Sequence, residues 1–386
     1  MENITQILFS LFLIFASAKL LGEIFERFKQ SAVIGEILAG VILGPQVFNL
    51  IGTSEIFPVL AQIGAIILLF TVGLQTKVED IMTVGRTSLV VAFLGVIFPF
   101  IFGYLYTLII HHTTIEAMFI GAAMVATSVG ITARVFADIG ILDTKVARVI
   151  LGAAVIDDVI GLLVLAIVTG LGKGALSFVK IGLITLEAIG FIAFLIIIGR
   201  RVVYRMIPRV ASFRTRDAVF SLAILFCLFL SAVASYIDLA AIVGAFLAGM
   251  VLSGLNLEYN LSIKTESLYN FLVPFFFVIL GSWVDLAIFA KPALLWAALI
   301  ITVFAILGKL IGCGLGALNL GKKDALMVGF GMVPRGEVGM IIASIGLSMK
   351  AITSDLYTVI IFMVMATTLI TPPILRGLTK NVKRET

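Results

Sequence analysis

Apolar runs of about 20 residues recur from one end of this chain to the other, each long enough to cross a hydrocarbon core of roughly 30 Å. Of the 386 residues 61% are hydrophobic and only 13% charged, with a mean hydropathy of +1.22. A soluble chain has no use for so much apolar surface. In lipid every backbone donor and acceptor must be satisfied internally, which leaves helices or closed barrels. The strict alternation of a membrane barrel is absent. The expectation is an all-α polytopic membrane protein.

Charge clusters and Gly/Pro turns divide the sequence into thirteen candidate spans: 4–22, 33–51, 56–76, 87–110, 115–137, 146–170, 176–199, 217–237, 239–255, 268–288, 293–318, 325–348 and 356–375. The loops are short, so a single transporter-like unit (1–386) without an inserted soluble domain is expected. If the first loop is cytoplasmic and the sides alternate, 21 basic residues fall inside and 4 outside (Lys173, Lys180, Lys291, Lys350). Lys309 and Arg335 lie within spans and complete the 27. The positive-inside rule then puts the N-terminus outside and the C-terminus in the cytoplasm. The same asymmetry accounts for the basic pI, so no nucleic-acid partner is expected. Residues 200–216, RRVVYRMIPRVASFRTR, read as the most basic cytoplasmic loop, close to anionic lipid. The N-terminus lacks a signal-peptide pattern and reads as the first span. Cys227 and Cys313 sit within apolar runs and imply neither a disulfide framework nor a metal site.

Two internal similarities share one offset. IGEILAGVILG (34–44) resembles VGAFLAGMVLSG (243–254), and MVATSVGITA from Met124 resembles MVPRGEVGMI from Met332. The copies lie 208 or 209 residues apart (Met124 to Met332, Gly35 to Gly244). They pair the second span with the ninth and the fifth with the twelfth. An offset of seven spans reverses the direction of membrane entry, which is the signature of an inverted-topology repeat. Both members of the second pair are poor continuous helices. One carries Thr127, Ser128, Gly130 and Thr132; the other carries Pro334, Arg335, Gly336, Glu337 and Gly339. Both are expected to unwind mid-span, where the exposed backbone lines a cavity or is buried in protein.

Ionisable residues within the spans are few: Asp157, Asp158, Lys309, Arg335, Glu337, Glu187 and, near an edge, Glu36. A charge at such depth costs about 2.5–3.5 kcal/mol on insertion scales and marks a functional candidate. Asp157 and Asp158, in AAVIDDVIGL, lie about 100° apart around a helix. One can face a cavity while the other faces a neighbouring helix, and Lys309 is the natural partner for the latter. Two carboxylates and one amine can hold protons, a cation or an internal ion pair. These occupancies exclude one another, which is the chemistry of exchange. Arg335 and Glu337 can pair with each other or balance the ends of the broken helices. Glu36 is expected to snorkel to the cytoplasmic edge, and Glu187 has no assigned role. GCGLGA (312–317) lies within a span without a preceding strand and reads as close helix packing, not as a nucleotide motif. Adjacent aspartates on one helix diverge, which argues against an intramembrane aspartyl protease; no enzymatic activity is expected.

AAVIDDVIGL, with Lys309 in ILGKLIG, ATSVGITARV (126–135) and VPRGEVG (333–339), resembles the cation:proton antiporter-2 family over essentially the whole chain. That family includes bacterial sodium/proton antiporters and spore-germination cation antiporters. The resemblance implies a sodium/proton antiporter fold of thirteen spans with two crossed, discontinuous helices, the fifth and the twelfth. It implies a translocating core (56–170 and 268–375), a dimerisation scaffold (1–55 and 176–255), a homodimer and a bacterial inner-membrane location. It assigns Asp158 as the principal site for Na⁺ or K⁺ and for protons. Asp157 becomes the partner of Lys309, Thr127 and Ser128 lie beside the site, and Arg335 and Glu337 compensate helix ends. Retention of Asp157 implies electrogenic exchange. The transported ions are Na⁺, Li⁺ or K⁺ and H⁺, with no cofactor and no cytoplasmic regulatory domain. A sodium-coupled symporter of similar inverted-repeat fold, a channel and a membrane sensor are the competing expectations.

Overall fold

The computed structural model describes residues 4–51, 56–110, 112–172, 178–215, 217–284 and 286–379. Within them regular structure is helical and no strand occurs. The helices are α1 (Ile4–Arg27), α2 (Ala32–Leu43), α3 (Ile56–Leu74), α4 (Val78–Ile109), α5 (Thr114–Val125), α6 (Val129–Ile139), α7 (Lys145–Gly172), α8 (Phe178–Phe194), α9 (Arg200–Ala211), α10 (Ala218–Tyr236), α11 (Ala241–Leu252), α12 (Asn256–Tyr259), α13 (Leu261–Ser282), α14 (Pro292–Gly316), α15 (Lys322–Gly331), α16 (Glu337–Ser348) and α17 (Ser354–Thr379). Among the described residues ten helical stretches, with α5 and α6 counted as one and α11 and α12 as another, are long and apolar enough to cross a bilayer. Three shorter apolar helices accompany them: Ala32–Leu43, Gly182–Phe194 and Val338–Ser348.

The basic segment from Arg200 is a helix and not the expected loop. Val203 and Ile207, four residues apart, are buried, while Arg200, Arg201, Arg205 and Arg209 occupy the other positions of α9. That amphipathic spacing gives the helix an apolar face to bury, and a π-helical turn, Leu195–Gly199, joins it to α8.

Two sets of helices pack closely. In one, α4 packs against α5, α7 and α14, and α14 against α15 and α17. In the other, α2 packs against α13 and α3 against α11 and α13. Crossings in the second set are made by glycine on carbonyl. A Cβ on Gly40 would collide with the Val278 carbonyl, and one on Gly281 with the Ile37 carbonyl. The same arrangement recurs where Gly249 meets the Phe70 carbonyl and Gly73 meets the Phe246 carbonyl. Each residue stands 208 or 209 positions from its counterpart (Gly40 to Gly249, Gly73 to Gly281). The sequence similarity therefore reappears as a repeated three-dimensional contact, with backbones brought together because glycine has no side chain.

The helical path is interrupted where the sequence is richest in Thr, Ser, Pro and Gly. α5 opens on a capping box, in which Glu116 N–H donates to Thr113 Oγ1 (3.2 Å) and Thr113 N–H to Glu116 Oε2 (2.8 Å). It stops at Val125, and residues 126–128 are extended before α6 begins. α6 ends at Gly140, whose φ of 72° closes the helix in the left-handed conformation. Between α15 and α16, residues 332–336 are likewise non-helical. Pro334 in that stretch has no N–H to continue a helix.

Candidate functional site

The two aspartates separate as helical geometry requires. Asp157, 1% exposed, points from α7 at α14 and accepts two hydrogen bonds from Lys309 Nζ, at 3.0 Å (Oδ1) and 3.1 Å (Oδ2). Lys309 is fully buried. Asp158 is half-buried and lines a cleft with Leu69 of α3, Val129 of α6, Leu151 and Val155 of α7, and Ile242, Val243 and Phe246 of α11. One carboxylate is thus fixed inside the protein and the other faces an apolar cleft between α7 and the α3/α11 pair. The choice that the residues alone left open is settled in geometry: Lys309 belongs to Asp157.

Lys309 is positioned by a glycine seam. Gly308, Gly312 and Gly316 follow one another at four-residue spacing and press α14 onto α4. A Cβ on Gly308 would lie 2.7 Å from Pro99 Cα, and one on Gly316 2.8 Å from Val91 Cα. From the α4 side, a Cβ on Gly95 would come within 2.5 Å of Cys313 Sγ and 3.5 Å of Lys309 Nζ. GCGLGA therefore serves close packing, and the seam carries the lysine to the centre of the first helix set.

The two interruptions meet. Ser128 N–H donates to the Pro334 carbonyl (2.8 Å), and Thr132 Oγ1 donates to the Gly331 carbonyl (2.6 Å). Thr127 Oγ1 donates to the Met332 carbonyl at 3.5 Å. Backbone groups freed by one break are thereby satisfied by the other. A Cβ on Gly336 would stand 2.6 Å from Ser128 Oγ, so glycine is required for the approach. Ser128 Oγ itself is buried without a hydrogen-bond partner. Thr127 and Ser128 are buried at the junction, and their neighbour Val129, first residue of α6, is the one that lines the Asp158 cleft.

Arg335 is fully buried and acts on carbonyls. Its Nη2 donates to Met124 O (2.7 Å) and Ala305 O (3.1 Å); its Nη1 donates to Met332 O (3.5 Å) and to Val333 O. Met124 and Met332 lie at the C-terminal ends of α5 and α15, where carbonyls lack intrahelical partners and the helix dipole is negative. The guanidinium therefore satisfies both helix ends. Its backbone is clamped by α17, where Thr368 Oγ1 donates to Arg335 O (2.7 Å) and Arg335 N–H donates to Thr367 Oγ1 (3.3 Å). Glu337 opens α16, and its side chain lies outside the described residues. Glu187 is exposed on α8.

Two charged residues are buried against expectation. Glu36 does not reach an edge: it is 2% exposed, on a helix that packs against both α1 and α13. Arg134, counted above with the cytoplasmic basic residues, is 9% exposed. Its Nε donates to Asp138 (3.0 and 3.3 Å), and its guanidinium carbon stands 4.8 Å from the centroid of the Tyr269 ring. The i, i+4 spacing of Arg134 and Asp138 is the signal present in the sequence. The Tyr269 ring beside it belongs to α13, over 130 residues away in sequence, and had no local signal.

Comparison with known proteins agrees along the whole chain. A family model described as "Sodium/hydrogen exchanger, transmembrane" matches residues 11–380. The Na(+)/H(+)-K(+) antiporter GerN of Bacillus cereus is 35% identical over 379 residues, covering 96% of each chain. The high-affinity Na(+)/H(+) antiporter NhaS3 of Synechocystis is 34% identical, over 98% of this chain and 91% of its own. Among solved structures, the sodium proton antiporter MjNhaP1 of Methanocaldococcus jannaschii superposes with a TM-score of 0.68 over 98% of this chain and 97% of its own. At 20% identity that likeness speaks for the fold alone. The chain belongs to the transmembrane sodium/hydrogen exchanger family.

Proposed function

We propose that this protein is a monovalent cation/proton antiporter that exchanges Na⁺, Li⁺ or K⁺ for protons by alternating access. The observation that carries the reading is the division of labour on α7: Asp158 faces a cleft, while Asp157 is sealed against Lys309. A proton and a cation compete for Asp158, since two positive charges at one carboxylate in low dielectric are strongly disfavoured. The likeness to relatives named as Na⁺/H⁺ antiporters over nearly their full length supports the same exchange.

The chain crosses the membrane thirteen times, the ten long stretches and three short helices together, with the N-terminus outside and the C-terminus in the cytoplasm. α5–α6 and α15–α16 form two crossed, discontinuous spans. Arg335, with Glu337, compensates their ends, and Thr127 and Ser128 supply polar groups at the crossing beside the cation. The recurring glycine contacts support an inverted repeat. The packing of α3 and α13 against α2 and α11 supports a scaffold that also takes in these two spans, with α4–α7 and α14–α17 as the moving core. Retention of Asp157 and its pairing with Lys309 favour electrogenic exchange. The protein works as a homodimer in a bacterial inner membrane, with ions and lipid as its partners and no cofactor.

The test is proton flux in proteoliposomes carrying an internal pH dye, with Na⁺, Li⁺ or K⁺ added in separate runs. The wild type gives a saturable, cation-dependent pH change, and Asp158→Asn gives none. Undiminished exchange in Asp158→Asn refutes the assignment.

A further inference from the structure

A second constellation of buried charge lies away from the Asp158 cleft, where α2, α6 and α13 meet. Glu36 of α2 is 2% exposed, and its Oε2 is buried with no hydrogen-bond partner. The charged and titratable groups near enough to act on it across space are Lys19 and Glu26 of α1, Arg134 and Asp138 of α6, and Tyr269 of α13. Arg376 of α17 acts on Asp138.

The basic groups are already engaged. Arg134 binds Asp138 and lies over Tyr269, and the Lys19 ammonium lies 5.4 Å from the centroid of the Phe15 ring. Of these groups only Glu36 and Arg134 are buried, and the guanidinium of Arg134 is bound to the more exposed Asp138, which leaves the Glu36 carboxyl in surplus. An ionised carboxylate with an oxygen sealed from both water and donors is costly, whereas a protonated carboxyl in the same place is not.

Its location couples this surplus charge to motion. Arg134 stands five residues along α6 from Val129, roughly 7.5 Å at 1.5 Å per residue, and Val129 lines the Asp158 cleft. If α6 moves with the core and α2 with the scaffold, any step that opens or closes the cleft also changes the separation of Arg134 and Glu36. The Arg134–Asp138 pair lies within α6 and travels as a unit.

We propose that Glu36 is a second proton site of this chain, protonated in the conformation described here and ionised when α6 moves so that Arg134 faces it. The proton leaves to water on the cytoplasmic side, and the new Glu36–Arg134 pair replaces it as the partner of the carboxylate oxygen. Glu36 transports nothing; its charge biases the two positions of the core, so alkaline pH favours the paired one. The motion rests on the antiport reading above, whereas the proton site rests on the cluster itself.

Two readouts separate them. In the first, a single cysteine replaces Ile141, which is 3% exposed on the turn after α6, in a chain carrying Cys227→Ser and Cys313→Ala. Its reaction with a polar maleimide is followed in nanodiscs across the pH range. The second is cation-driven proton flux in proteoliposomes. With Glu36 intact, the labelling rate relative to that of an exposed control cysteine, which removes the titration of the thiol itself, changes severalfold with pH. In Glu36→Gln this ratio no longer depends on pH, and the flux profile shifts by about one pH unit, the scale of a tenfold population bias. Glu36→Asp keeps the pH dependence. Labelling and flux profiles of Glu36→Gln that superimpose on the wild type overturn the proton site and leave antiport standing. Glu36-dependent labelling in a chain without cation-dependent flux supports the proton site and removes the antiport reading.

Discussion

At the residue scale, the Asp157–Lys309 pair is the most consequential contact in the molecule, because neither partner has water to fall back on. Burial of an ion pair adds little net stability, but removal of one partner leaves an uncompensated charge at a cost of about 3–5 kcal/mol. Lys309→Ala is therefore expected to lower the thermal unfolding temperature of the detergent-solubilised protein markedly. The apolar double replacement Asp157→Leu with Lys309→Met recovers most of the loss. Independent, additive losses in the two single variants would contradict this coupling, and a double-mutant cycle on melting temperatures measures it. Asp158 differs in being half-buried and lining a cleft, where the proposed function has Na⁺ and a proton compete for it. If they share that carboxylate, each unit of acidification below its titration midpoint raises the apparent KM for Na⁺ about tenfold while saturating Na⁺ restores the maximal rate. Initial rates over a grid of pH and Na⁺ concentration check this, and a maximal rate that falls with acid at constant KM would point to separate sites.

At the element scale, the α4–α14 seam shows what the sequence could and could not convey. GCGLGA was legible as close packing because glycines in an apolar run without a preceding strand have little other use. Its partner was not legible, since Gly95, Pro99 and Leu94 belong to a span some two hundred residues distant. The seam makes a graded prediction. Gly312→Ala drives a methyl into the Leu94 carbonyl, and overpacking of this kind costs about 1–3 kcal/mol. Gly314→Ala, on the same helix, meets only Ala325 O at 3.6 Å and is expected to be neutral. Melting temperatures of the two variants decide the matter, and equal behaviour would mean that the seam does not hold Lys309 in place. The interruptions at residues 126–128 and 332–336 were legible from composition, because hydroxyl-bearing residues, proline and glycine weaken a helix wherever they cluster. The direct bonds between the breaks depend on how separate spans pack, which composition does not encode. Glu36 and Arg134 mark the limit most sharply. A charge near a span end normally reaches the interface, and the helices packed around α2, chiefly α1 and α13, prevent it here.

At the scale of the whole molecule, the glycine-mediated contacts within each helix set contrast with the contact between the sets. Within the α2–α3–α11–α13 set, glycines bring backbones into direct contact at both copies of the repeated crossing. Such an interface resists sliding, because carbonyls are lodged where side chains would otherwise stand. Contact between this set and the other runs chiefly through α6 and α17, and at the Asp158 cleft it is made by branched and aromatic side chains instead. Side chains can change rotamer and re-pack, so this contact is the softer one, and it borders Asp158, as the alternating access proposed above would require. A Cβ on Gly130 would lie 3.5 Å from Leu69 Cδ2, which brings α6 and α3 into bridging range across that boundary. Leu69→Cys with Gly130→Cys, in a chain lacking Cys227 and Cys313, is expected to transport while reduced and to stop when a short bifunctional thiol reagent or mercuric ion joins the two. Each single variant under the same treatment retains flux, and reversal of the mercuric bridge by excess thiol restores the double variant. Flux that continues through a completed bridge would locate the moving boundary elsewhere, and the α4–α14 seam would be the next place to bridge.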